Sequence, residues 1–195
     1  MTILLLGSGV FFWADIPIKE EMIAAHDVSL FVRIVGDPVA APVLIALNGG
    51  PGQSSHYMKT LEKLAGPGLV VVTFDQRGTG RSSEPKNGYA LDKYAADIEA
   101  IRLHLRAEKI HLFGHSFGGA IVTEYALAHP ERVEKLVLLA TAGEFRLTGP
   151  AKALLKLPLP VLSAIHRVYA HRAMFARPHA ISDMYRNAVS VWQGW

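Results

Sequence analysis

Residues 113–120 read FGHSFGGA, and few stretches restrict a fold as tightly. Gly114, Gly118 and Gly119 crowd one serine between the apolar run KIHLFG and an apolar stretch that begins at Phe117. A short run of branched apolar residues suits a strand buried on both faces. The stretch after Phe117 reads as a mostly apolar helix, ended at His129-Pro130 because proline cannot continue it. The join is therefore a strand that turns sharply into a helix, and the corner's strain demands small neighbours. Such a corner exposes the Ser116 hydroxyl. It also places the Phe117 N–H at a helix N-terminus, where unpaired donors and the dipole favour an anion. Gly114-His115-Ser116-Phe117-Gly118 fits G-x-S-x-G in the setting that motif requires, a strand before and a helix after.

The rest of the chain repeats the alternation. VSLFVRIV puts Val28, Leu30, Val32 and Ile34 on one face, the period of a strand. PVLIALN, LVVVTF and KLVLLA are further buried-strand runs. Leu91, Tyr94, Ile98, Ile101 and Leu105 fall at helix spacing, which leaves Asp97, Arg102 and Arg106 to face outward. Strands alternating with helices predict an α/β architecture, a mostly parallel sheet with helices on both faces. After Ala140 the pattern changes. Residues 141–195 hold four prolines and no strand-like run. Ile181, Met184, Tyr185, Ala188, Val189 and Trp192 form a helical stripe there. Residues 1–144 read as the core, and 145–195 as a helical cap segment.

Composition narrows the function classes. At 195 residues, 50% hydrophobic and 19% charged, the chain suits one compact domain. It has no cysteine, which excludes disulfides and thiolate metal sites and fits a reducing, cytoplasmic setting. The net charge of +3 is spread out, and RVYAHRAMFAR reads as a solvated face, so no nucleic-acid partner is expected. ILLLGSGVFFW is too short to span a bilayer, and no basic residues precede it. It can be a degenerate signal, an edge strand or a stretch upstream of the true start. GSGVFF lacks the third glycine of a dinucleotide fingerprint, so no cofactor is expected. His111 and His115 lie on a strand and a turn rather than one helix face, so no metal is expected either. Oligomeric state stays open.

Two more glycine clusters gather around the serine. LNGGPGQSS follows the run Val43–Leu47, where strand tips collect ligands in an α/β sheet. Acyl transfer needs two donors on the developing oxyanion, and losing one costs about 3–4 kcal/mol. The N–H groups of Phe117 and Gly50 are the candidates, with a plain tight turn as the alternative for GGPG. FDQRGTGRSS also lies just past a strand. It lacks G-K-[ST], so a bracing turn fixed by Asp75 and Arg77 is a better reading than a phosphate loop.

NGGPG, FDQRGTGRS and GHSFGG, in this order and spacing, resemble the α/β-hydrolase superfamily, and most of all its proline iminopeptidase branch. The resemblance covers roughly residues 20–145. It implies Ser116 as nucleophile, Gly50 and Phe117 as oxyanion hole, a helical cap after the sixth strand, and a small-molecule or short-peptide substrate. Two positions depart from the pattern. Asn48 stands where the family has histidine before GGPG, and His115 is more typical of general esterases and lipases.

A serine hydroxyl needs a base, and in this fold the order is serine, acid, histidine. After Ser116 the one aspartate is Asp183, and the histidines are His129, His166, His171 and His179. None fits. His129 ends the helix that starts at the serine, about 18 Å away at 1.5 Å per residue. Asp183 follows His179, the reverse of the expected order. His56 reads as a loop or substrate-lining residue. The resemblance also implies two further strands, without which KLVLLA is an apolar edge strand. The expectation is the N-terminal part of a serine hydrolase, close to inactive by itself. A general carboxylesterase or lipase-like hydrolase and a non-catalytic binding module are the alternatives.

Overall fold

Apolar runs with no polar face must lie where both faces are covered, and here they pair side by side. A computed structural model describes residues 15–141, together with the strands Thr2–Leu6 and Gly9–Trp13. His166, His171, His179, Asp183 and the proposed cap lie outside the described residues.

The strands are β1 (Thr2–Leu6), β2 (Gly9–Trp13), β3 (Ile18–Ala25), β4 (Val28–Val35), β5 (Val43–Leu47), β6 (Val70–Phe74), β7 (Ile110–His115) and β8 (Val133–Leu139). The α-helices are α1 (Leu91–His104) and α2 (Phe117–Ala128). Six strands form one sheet in the order β3-β4-β6-β5-β7-β8. β6, β5, β7 and β8 are parallel, whereas β4 runs antiparallel to β6 and β3. β1 and β2 form an antiparallel pair of their own, so the apolar N-terminus is not an edge strand of the main sheet. No described helix is long and apolar enough to cross a membrane.

The two central parallel strands are buried at every position, as their sequences require. One set of alternate side chains, including Leu30, Ile45, Val72 and Leu112, packs against α1 and α2, which lie against each other. The other set, including Leu44 and Val71, is also buried. On that side the 3₁₀ segment Ser55–Leu64 packs on β6 and β5 and buries Met58. Each fully buried aliphatic side chain contributes about 1.5–3 kcal/mol. β4 departs from a one-faced strand, because Phe31 and Val35 are buried too. The Arg81 guanidinium lies over the Phe31 ring and closes that face. β8 is the outer strand of the described sheet, and Leu136–Leu139 are exposed along it.

Helix spacing predicts Asp97 and Arg102 on the outside of α1, and the structure buries both. Asp97 accepts Arg77 Nη2 and Nε at 2.7 and 2.8 Å, with no exposed surface on either side chain. Arg77 spends its remaining donors on the Gly88 and Lys93 carbonyls and on Asp27. A buried ion pair costs desolvation on both sides, so removing one partner alone leaves an uncompensated charge at about 3–5 kcal/mol. Burial pushes the Asp97 carboxyl up to about 6, against the pull of the Arg77 hydrogen bonds. Arg102 forms a fork on Glu99, whose carboxylate also accepts the Tyr125 hydroxyl and pairs with Arg132. That one acid ties α1 to α2 and to the turn after it. Arg106 is exposed, as its spacing predicts.

Candidate active site

β7 ends at His115 and α2 begins at Phe117, so Ser116 alone makes the corner. Its backbone sits at φ 52°, ψ −118°, a region that residues with a Cβ avoid. Hydrogen bonds on both sides hold it there. Ser116 N donates to Leu139 O at 2.9 Å, and Gly119 N donates to Ser116 O at 3.0 Å. The serine hydroxyl does not cap the helix that it precedes.

Each nearby glycine is required by a different approach. A Cβ on Gly114 would lie 2.6 Å from Gly119 Cα, blocking α2 from β7. One on Gly118 would lie 2.5 Å from Asn48 O, blocking α2 from the glycine loop. One on Gly119 would lie 1.9 Å from Thr141 Oγ1, blocking the chain that leaves β8. The Phe117 ring is buried edge-on against Tyr94, with centroids 5.6 Å apart. Its amide is thus fixed at the first turn of α2, where N–H groups lack helical partners.

The glycine loop hangs from Asn48. Its Nδ2 donates to Gly49 O at 2.8 Å and to Gln53 O at 2.7 Å, and Gln76 Nε2 donates to Asn48 O at 2.8 Å. One carboxamide therefore ties both ends of the loop. A Cβ on Gly49 would lie 3.0 Å from Ser116 Cβ, so loop and serine are in contact. The Gly49 N–H is engaged by the Tyr57 hydroxyl. The next amide belongs to Gly50, at φ 144°. The structure brings Ser116, Phe117 and the Gly49–Gly50 turn to one corner.

FDQRGTGRSS braces that corner from below. Asp75 Oδ1 accepts Ser55 N at 2.9 Å and Ser55 Oγ at 2.8 Å, while Oδ2 accepts Arg81 N at 2.9 Å. A Cβ on Gly80 would lie 2.1 Å from Asp75 Oδ2. Arg77 has no surface left to offer a phosphate. His56 is exposed on the 3₁₀ segment, and His129 caps the end of α2 against the Tyr125 ring. Among the described residues, the histidine set against a carboxylate is His104, 3.2 Å from Glu21 and joining α1 to β3. Among the described residues no group of three or more acids and histidines could hold a metal ion. Sequence reasoning singled out neither Tyr57 nor Gln76. Their contacts reach across 58 and 28 residues, and no local pattern announces them.

The alpha/beta hydrolase fold family matches residues 42–164, a span that holds the glycine loop, the bracing turn and the serine corner. The chain belongs to this family. Among α/β-hydrolase relatives, the proline iminopeptidase of Lactobacillus helveticus (strain DPC 4571) is 35% identical over 144 residues, 70% of this chain and 49% of that protein. The proline iminopeptidase of Lacticaseibacillus rhamnosus (strain Lc 705) is 29% identical over 67% of this chain and 46% of its own length. The chain thus spans about half the length of these relatives. Two α/β folds show the same architecture. An esterase from Exiguobacterium antarcticum superposes with TM-score 0.68 at 22% identity, covering 87% of this chain and 73% of that one. A proline iminopeptidase-related protein from Thermus thermophilus gives 0.61 at 24% identity, covering 89% and 56%.

Proposed function

We propose that the chain carries the nucleophile and oxyanion hole of a serine hydrolase that cleaves ester or amide bonds, with release of an N-terminal residue from short peptides as the favoured activity. What carries the reading is the strained backbone of Ser116, a conformation held between β8 and α2 while the hydroxyl is left unused by the helix. Strain of this kind costs about 1–3 kcal/mol and persists where the surrounding structure fixes it. The peptidase preference rests on the proline iminopeptidases to which the chain is similar.

In this reading Ser116 Oγ attacks the carbonyl carbon. Its proton passes to a base supplied from outside the described residues. The carbonyl oxygen becomes an oxyanion and receives the N–H groups of Phe117 and Gly50. Collapse expels the amine or alcohol, which takes up the proton, and leaves an acyl-serine. Water, deprotonated by the same base, then releases the acid and restores the hydroxyl.

The test is turnover of proline p-nitroanilide and p-nitrophenyl acetate by the protein and by its Ser116→Ala variant. We expect Ser116→Ala to lower kcat on the order of a millionfold. Equal turnover by the two proteins would refute the reading, and the ratio of the two substrates separates peptidase from esterase.

A further inference from the structure

Tyr57 lies in the 3₁₀ segment directly after the glycine loop, and its hydroxyl sits where three pieces of chain meet. That oxygen accepts the Gly49 N–H and lies 2.8 Å from His115 Nδ1. The two rings meet nearly perpendicular, with centroids 5.7 Å apart. A Cβ on Gly49 would lie 3.2 Å from the Tyr57 oxygen and 3.0 Å from His115 Nδ1. The three groups are therefore packed on one another, with the serine against the same glycine.

The proton inventory is restrictive. An amide nitrogen can only donate, so the phenol oxygen accepts from Gly49 and keeps its own proton to give. Burial raises the Tyr57 hydroxyl above the ordinary phenol range, so that proton stays in place. The ring nitrogen opposite it is His115 Nδ1.

Resting on the hydrolase reading above, we propose that Tyr57 and His115 are a positioning pair: a relay running from Gly49 N–H to Tyr57 O–H to His115 Nδ1. It does two things. It withholds the Gly49 amide from substrate, so that Gly50 is the loop's oxyanion donor. It also fastens the loop to the residue immediately before the nucleophile, so that both halves of the oxyanion hole keep one relative orientation. Asp75 supports the relay from behind, because its bonds to Ser55 fix the start of the segment that carries Tyr57. His115 is thereby held with its proton on Nε2, as a brace and not as the base.

The test uses the 195-residue chain labelled with ¹⁵N at pH 8. Imidazole ¹H–¹⁵N spectra are expected to show His115 unprotonated at Nδ1 and protonated at Nε2. Amide exchange at Gly49 is expected to quicken at least tenfold in Tyr57→Phe, while that of Gly119, bonded to Ser116 O, stays unchanged. His115→Asn keeps an acceptor near the Nδ1 position and is expected to preserve the Gly49 protection. A parent His115 protonated at Nδ1, or Gly49 exchange unmoved by Tyr57→Phe, overturns the relay. If Tyr57→Phe loosens both amides, the tautomer in the parent decides alone. Neither readout needs turnover, so the relay and the hydrolase reading fail independently. In a turnover assay, Tyr57→Phe is expected to lower kcat by about tenfold to a hundredfold with KM little changed.

Discussion

At Ser116 a side chain occupies backbone geometry that favours glycine, at φ 52°. The strain arises at Cβ, so it survives removal of the hydroxyl but not removal of Cβ. Ser116→Ala is therefore expected to leave stability nearly unchanged. Ser116→Gly is expected to stabilise the chain by about 1 kcal/mol, after the entropy of a glycine in the unfolded state is deducted. Urea unfolding of the three proteins checks this through midpoint shifts at constant slope. An alanine variant more stable than the glycine variant by about 0.4–1 kcal/mol, the entropy term alone, would mean that the corner is not strained. Legibility at this scale follows locality. Ser116, Phe117 and Gly50 sit inside short motifs that neighbouring residues are enough to single out. Tyr57 and Asn48 act through contacts whose geometry only the folded chain sets. Helix spacing misplaces Asp97 outward because it sees neighbours along the helix and not Arg77, twenty residues earlier in the chain.

Among the elements, the β5, β6, β7 and β8 runs declare themselves by short apolar stretches, most nearly continuous in β5 and β6, and all four are strands. β3 does not. IKEEMIAA is rich in good helix formers, and its extended form follows from eight-residue pairing with β4 across a tight turn at His26, φ 50°. The contact between α2 and the glycine loop yields a prediction. In Gly118→Ala the new Cβ meets the backbone oxygens of Asn48 and Leu47, whereas in Gly119→Ala the three nearest atoms all belong to the Thr141 side chain. Each is expected to cost about 1–3 kcal/mol by overpacking. Thr141→Gly is expected to restore most of the loss in Gly119→Ala and none of it in Gly118→Ala. A double-mutant cycle of unfolding free energies measures the difference, and equal rescue of both would contradict the separate approaches.

At the scale of the whole molecule, Glu99 contributes to acid stability. Arg102, with further help from Tyr125 and Arg132, holds its carboxyl down at about 2, below its ordinary 4.5. An acid depressed in the folded state stabilises above its unfolded value and loses that contribution as protons return. Glu99 thus adds its full share above pH 4.5, about 3 kcal/mol, and surrenders it as pH falls toward 2. The stability gap between the parent and Glu99→Gln is expected to close over that window. A gap that stays constant from pH 6 to pH 2.5 would rule out the assignment.

Thr141 touches the first turn of α2, and Leu139 O grips the Ser116 amide. The backbone thus departs from the sheet at the doorstep of the serine corner. Whatever is attached beyond that point begins its path within a helical turn of the serine and needs no long tether to roof it. Chain grafted at that single junction would therefore start beside the serine, while the sheet beneath is left intact.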